Sequence, residues 1–172
     1  HCFCHKTFPF MLPIHLQQLH SRVIDLCRNK QLHYALAHSL GLAYQENAAT
    51  VQQIIDDWLG DLIEQAPRER PGKTTKRENG LAVAALTLAS IRYGEVGDNE
   101  NSQLTPPLAF GLVLMILEKE RHGYVRKCCL IAITRLLRSY LDEQKADKFR
   151  KVMLKLTNEE RQIVVDELTE VY

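Results

Sequence analysis

The residues Gly72, Lys73, Thr74 and Thr75 have the order found at the end of a phosphate-binding loop, where backbone amides and a lysine hold the phosphates of a nucleotide. Such a loop needs another glycine five positions before the Gly-Lys pair, and this chain has Pro67 there. It also needs a preceding strand, whereas the apolar residues before this stretch recur at helical spacing. The residue order therefore argues against a nucleotide loop, and the basic charge of the stretch is the feature that remains.

Carboxylates on the preceding predicted helix could bind a different phosphate ligand. Asp57, Asp61 and Glu64 share one helical face. The run DDWLGD at residues 56–61 resembles the Asp-rich helices of all-α isoprenoid synthases, and the resemblance implies binding of magnesium diphosphate. The apolar face of the same helix lies about 140° away, so the carboxylates are predicted to point into solvent. A magnesium-diphosphate-dependent enzyme is the third function considered for this chain.

Histidine and cysteine are poorly placed for a metal site. The first five residues, HCFCH, hold four zinc-type ligands that lie too close together to surround one tetrahedral ion. The chain has five cysteines, an odd number with adjacent or near-adjacent pairs, which favours reduced thiols in a cytoplasmic protein over a disulfide framework. We therefore predict no metal site, no cofactor and no catalytic residue.

Charge is distributed unevenly along a chain whose net charge is only +1. Residues 31–67 contain five acidic residues and no lysine or arginine, whereas residues 119–151 contain ten basic and four acidic residues. Two basic sets are predicted to be exposed and to contact a partner: the connection after residue 65, and the solvent face of a helix over 124–142. Their members are Arg68, Arg70, Lys73, Lys76 and Arg77 in the first set, and Lys127, Arg135 and Arg138 in the second.

Helices must position these side chains, because apolar residues recur at three- and four-residue spacing through most of the 172-residue chain. No segment alternates as a strand does, and the six prolines fall at predicted helix starts or in connections. Short links predict an all-α fold of about eight helices packed as antiparallel hairpins. The predicted helices begin near Pro13 and then cover about 31–43, 48–65, 75–93, 106–122, 124–142, 145–156 and 157 onward.

The same pattern predicts the extent of the domain and features of two of its helices. Residues 1–10 are predicted to be a disordered or non-native extension, and residues 11–172 a single α-helical domain. The helix over 75–93 is apolar on most faces, which predicts a central position. Thr157 and Glu160 form a capping-box pattern that predicts the start of the last helix.

The helix over 124–142 resembles the second helix of a HEAT repeat. The pattern is Val-Arg, a small residue three positions after the arginine, a small residue followed by an aliphatic one, and a final leucine; here it is formed by Val125, Arg126, Cys129, Ala132, Ile133 and Leu136. The resemblance implies a HEAT- or armadillo-like scaffold of helical hairpins that binds other macromolecules, built as a right-handed stack. An irregular helical bundle is the structural alternative.

The function predicted from the sequence is a non-catalytic protein-interaction or adaptor module that binds another protein through its basic helical face. The alternative is a nucleic-acid-associated helical protein that uses the same basic residues. A helix-turn-helix over residues 35–59 would lack any lysine or arginine on its recognition helix, which weakens that form of the alternative. The most apolar run, residues 108–117, is too short to cross a bilayer, so no membrane contact is predicted.

Overall fold

The computed structural model describes residues 22–23, 25–64, 73–94, 104–140 and 142–170. The predicted extension over 1–10, the start of the first predicted helix, and Arg68 and Arg70 lie outside these ranges. The described residues form no strand, which confirms the all-α prediction. Residues 22–23 and 25–27 are helical. In the described ranges that follow, a short 3-10 helix, Lys30–Leu32, precedes seven α-helices: α1 (His33–Ala43), α2 (Ala48–Glu64), α3 (Lys76–Ser90), α4 (Pro106–Lys119), α5 (Gly123–Ser139), α6 (Glu143–Met153) and α7 (Asn158–Thr169).

Polar caps determine where several helices begin. The side chain of Thr157 accepts a hydrogen bond from the amide of Glu160, whose side chain bonds back to the cap, so the predicted capping box of α7 is confirmed. A second capping box, not predicted from the sequence, joins Thr75 and Glu78 at the start of α3. Thr105 caps α4, and the two prolines that follow occupy its first turn, where missing amide protons cost nothing.

Four helices end about three residues before the predicted positions, at Ser90, Lys119, Ser139 and Met153. Helix α3 ends at Ser90 rather than near residue 93, because Ile91 is extended and the side chain of Tyr93 turns back to donate to the Leu88 carbonyl at 2.6 Å. Helix α4 ends at Lys119, so Gly123 does not mark its end. It is the first residue of α5, because His122 caps that helix by accepting a hydrogen bond from the amide of Tyr124 at 3.3 Å.

Alternate helices stack on one another. Helix α3 has its most extensive contacts with α1 and α5, and α5 contacts α7 in turn. Arg126 near the start of α5 pairs with Glu160 near the start of α7 at 2.5 Å, and Arg135 further along pairs with Glu167 at 2.6 Å, so the two helices run parallel. Along the chain, one further α-helix follows each of α1, α3 and α5 before the helix that stacks on it. Helix α3 is central as predicted, since every residue from Arg77 to Leu88 is buried.

Arg126 connects three elements at one end of this stack. Its guanidinium donates to the carbonyls of Leu117 and Glu120 at 2.7 and 3.1 Å, and to the carboxylate of Glu160. Burial raises the pKa of Glu160, but the hydrogen bonds from Arg126 and the Thr157 amide, with the arginine charge, outweigh it and hold that pKa below its usual value. The arginine of the HEAT-like pattern therefore satisfies carbonyls at the end of α4 and fixes the start of α7.

Candidate interaction groove

The basic residues predicted on the exposed connection after residue 65 differ in burial. Lys73 and Lys76 are exposed at the start of α3. The exposed position predicted for Arg77 was wrong: its side chain is buried and forms an ion pair with Glu120, which is also buried. The reason is the Thr75 cap, which starts α3 at Lys76 and turns the next residue toward the link between α4 and α5. Arg68 and Arg70 lie outside the described residues.

The three basic residues predicted on the solvent face of α5 also differ in their exposure and contacts. Lys127 is exposed and forms no hydrogen bond or ion pair with any residue that the structure describes. Arg135 is partly buried by its ion pair with Glu167. Arg138 donates to the carbonyls of Leu168 and Glu170 at 3.3 and 2.8 Å. Helix α7 therefore covers part of the solvent face predicted for α5. Lys127 and Arg138 remain exposed, and Lys127 is the one of the three without a hydrogen bond or ion pair to a described residue.

A groove of about 350 Å³ opens beside Lys127. Its walls come from the first turn of α1, the middle of α5 and the last turns of α7. Three kinds of residue line it: aromatic or aliphatic side chains, two cations and three carboxylates. They are Tyr34, Ile131 and Ile163, then Lys127 and Arg135, then Asp166, Glu167 and Glu170. The groove thus combines apolar surface with charges of both signs.

Tyr34 forms the α1 wall of the groove. The Arg135 guanidinium lies over its ring, 5.9 Å from the centroid, while the side chain remains 42% exposed. Partial burial of the ring raises the pKa of Tyr34. Cys128 and the carboxylates of Glu167 and Glu170 raise this pKa further, whereas the charge of Arg135 lowers it. The phenol is therefore a neutral hydrogen-bonding group at physiological pH, placed beside an arginine that is already neutralised by a carboxylate.

A buried histidine fixes the start of α1 against α5. Nε2 of His33 lies 2.5 Å from the carbonyl oxygen of Cys27, and Nδ1 lies 2.8 Å from the hydroxyl of Tyr124. The ammonium of Lys30 stands over the Tyr124 ring at 4.6 Å. If Nε2 carries the proton and donates to the carbonyl, Nδ1 accepts from the tyrosine, so a neutral imidazole satisfies both contacts. This network holds Tyr34, the next residue of α1, in position at the groove.

The stability of this network depends on pH. Burial lowers the pKa of His33, the bond to the Cys27 carbonyl opposes that effect, and Lys30 lowers the pKa further. Below about pH 6.5 an unfolded histidine binds a proton that the folded one resists, so stability falls as pH falls, by at most about 1.4 kcal/mol per pH unit for one proton. We expect His33→Gln to remove this component of the slope. Urea unfolding at pH 7.5 and 5.5 measures it; equal slopes for both proteins would contradict the assignment.

The other candidate chemistry of the chain is not assembled into a site. Asp56 and Asp57 are exposed and accept hydrogen bonds from Gln52 and Gln53, each one turn earlier on α2. The side chain of Asp61 lies outside the described part. Across the described ranges, no three His, Cys, Asp or Glu side chains come together in a way that could hold a metal ion. The magnesium-diphosphate alternative thus finds no cluster of three ligands among these residues.

The described cysteines are buried and weakly acidic. Burial raises the pKa of Cys27 to about 12 and the pKa of Cys128 to about 11, and burial also raises that of Cys129 well above its usual value. Since the thiolate is the nucleophilic form, these thiols stay protonated and unreactive at neutral pH. Cys128 and Cys129 are adjacent in sequence and both are fully buried, so α5 is covered on more than one side.

Sequence reasoning missed the α7 side of the groove and Tyr34. One signal could have identified Glu167. It lies three residues after the buried Val164, on the apolar side of the last helix, and it is itself only 7% exposed. A carboxylate in an apolar stripe indicates a buried ion pair. Tyr34 and Asp166 carry no such signal, because both occupy ordinary exposed positions of their helices.

The chain matches no family model, no curated protein and no solved structure. Within the described ranges, every helix is too short or too polar to cross a bilayer. The groove and its side chains therefore carry the functional argument.

Proposed function

We propose that the chain is a non-catalytic scaffold of HEAT-like helical hairpins that binds a segment of another protein in the groove between α1, α5 and α7. The stacking of alternate, parallel helices supports the HEAT-like part of this proposal, since it is the arrangement in which successive hairpins extend a continuous binding surface. A cytoplasmic location, suggested by the cysteine usage of the sequence, belongs to the same proposal.

The observation that carries the proposal is the position of Lys127. It is exposed at the rim of a groove whose floor is closed by the Arg135–Glu167 pair and by Ile131, which is 5% exposed. A charged residue with no partner of its own, beside apolar surface and an accessible tyrosine, is suited to contact an acidic side chain of a bound segment. Catalysis has less support, because the described thiols are protonated and the groove contains no paired nucleophile and base among the residues placed there.

The nucleic-acid alternative is less compatible with the same groove. Its lining has two cations and three carboxylates, and one cation is already bound by a carboxylate at 2.6 Å. A phosphate backbone would be repelled by Asp166 and Glu170 at the α7 wall. Lys73 and Lys76 lie outside this lining, so nucleic acid would need a different surface of the protein.

Reversing the charge of Lys127 tests the proposal directly. We expect Lys127→Glu to lose at least about tenfold in retention of partner proteins, because an acidic side chain of the partner would then face a like charge. The measurement is affinity purification from the cells that make the protein, quantified by mass spectrometry with and without nuclease. The matched control is Lys148→Glu, also an exposed lysine, which lies on α6 and does not line the groove.

Two results would contradict the proposal. Equal retention of all proteins by Lys127→Glu and by Lys148→Glu would show that the groove is not the binding surface. Loss of every retained protein on nuclease treatment would favour the nucleic-acid alternative instead. Arg135 and Arg138 are unsuitable for this test, because both bind α7 and their reversal would disturb the fold.

A further inference from the structure

The charges that line the groove are divided between its two sides. Lys127 stands on the α5 rim, whereas Asp166 stands in the last turn of α7 and Glu170 follows at the end of that helix. The Arg135–Glu167 pair lies between them, and its two charges compensate each other at 2.6 Å. Opposite charges are thus presented to a ligand from opposite walls, across a floor that is electrostatically neutral.

The floor between the two rims suits side chains with an apolar stem. Ile131 on α5 and Ile163 on α7 contribute aliphatic surface, and Tyr34 contributes the edge of a ring whose face is occupied by Arg135. A long charged side chain can lay its methylene groups on such surface while its head reaches a rim charge. A purely anionic ligand would meet the α7 carboxylates, and a purely cationic one would meet Lys127.

We infer that the groove binds an extended protein segment that carries both an acidic and a basic side chain, the acidic one directed to Lys127 on α5 and the basic one to Asp166 on α7. This inference rests on the proposed function and adds the chemistry and the orientation of the partner. The warrant is charge complementarity: a segment with both signs satisfies both rims at once, and segments with one sign are repelled by one of them. Asp166 is exposed, and from the described residues its carboxylate accepts a hydrogen bond of 2.7 Å from Gln162 on its own helix, so it retains acceptor positions for a ligand.

Selection from a phage-displayed library of random dodecapeptides tests the inference. With the wild-type protein we expect enriched peptides to contain both an acidic and a basic residue at a fixed spacing. The binding of one such synthetic peptide, measured by fluorescence polarisation, should weaken at least about tenfold in Lys127→Glu and in Asp166→Lys. Glu118→Lys, an exposed carboxylate on α4 outside the groove, is the matched control and should leave binding unchanged.

A double reversal makes the test specific for orientation. The variant Lys127→Glu/Asp166→Lys keeps the charge of the groove and inverts its direction. We expect it to prefer a peptide in which the acidic and basic residues are exchanged, by about tenfold over the original peptide. A variant that merely failed to fold would bind neither peptide, and circular dichroism identifies that case; the two single reversals, each measured against the selected peptide, would then decide.

The outcomes separate the inference from the proposed function. Peptides that lose binding in Lys127→Glu but keep it in Asp166→Lys, or that carry one sign of charge only, would overturn the inference and leave the groove as a binding site. Peptides unaffected by either substitution, or a library without any enriched peptide, would overturn both.

Discussion

Replacing Arg77 with methionine should lower the free energy of unfolding by roughly 3–5 kcal/mol, the largest effect expected for a single charged residue among those that the structure describes. The substitution leaves the carboxylate of Glu120 in place, with its side chain only 1% exposed and its ion-pair partner removed. A buried charge that loses its partner costs far more than the pair contributes, because the attraction of the partner no longer offsets the cost of removing the charge from water. Urea unfolding monitored by circular dichroism measures the change.

The neighbouring residue provides a control for this prediction. Lys76→Met removes the same type of charge one residue earlier, but Lys76 is exposed, so the expected change is within about 0.5 kcal/mol. The double variant Arg77→Met/Glu120→Leu should recover most of the loss, since apolar residues replace both members of the pair. A loss below about 1 kcal/mol in Arg77→Met would mean that Glu120 reaches water or another donor, and would contradict the buried pair.

The sequence predicted the helices well where packing on one side of each helix determines them. Helix α2, over Ala48–Glu64, was placed within one residue because its apolar residues keep a strict helical period. The start of α7 was found from a local rule, the capping box of Thr157 and Glu160. The central position of α3 followed from its apolar composition on nearly all faces. Each of these features is encoded within a few neighbouring residues.

Contacts between distant residues explain why the candidate site was only partly predicted. Arg77 and Glu120 are separated by 43 positions, and nothing near Arg77 indicates that α3 begins beside the link before α5. In the same way, α7 packs against the charged face of α5. Arg135 pairs with Glu167 of α7, and Arg138 donates to the Glu170 carbonyl at the end of that helix. Periodicity identifies a polar face, but it does not tell whether water or another helix covers that face.

For Lys127, the exposure predicted from the sequence agrees with the structure. It was predicted on the exposed face of its helix, and it is exposed, while the partner role assigned to it stays a prediction. The residues that complete the groove come from α1 and α7, at opposite ends of the described chain, and only the stacking of α1, α3, α5 and α7 brings them together. The binding chemistry proposed here therefore depends directly on the spacing of the stacked helices.

Replacing Gly41 with alanine tests that spacing, and we expect it to lower the free energy of unfolding by about 1–3 kcal/mol. A Cβ atom at Gly41 would lie 2.7 Å from both Cβ and the carbonyl oxygen of Ser90, so the backbones of α1 and α3 would have to move apart. Gly111 is the matched control: it is helical and exposed, nothing lies within 4 Å of an added Cβ, and alanine there should stabilise the protein by roughly 0.5–1 kcal/mol.

The changes in stability expected at these two glycines have opposite signs. They separate the effect of packing from that of helix propensity, since alanine favours the helix at both positions. Stabilisation at Gly41 as well as at Gly111, measured by urea unfolding, would mean that α1 and α3 are further apart than described. Because α1 also carries Tyr34, a shift of α1 away from α3 displaces one wall of the groove. Gly41→Ala should therefore weaken binding of a selected peptide, although Gly41 does not line the groove, whereas Gly111→Ala should leave that binding unchanged.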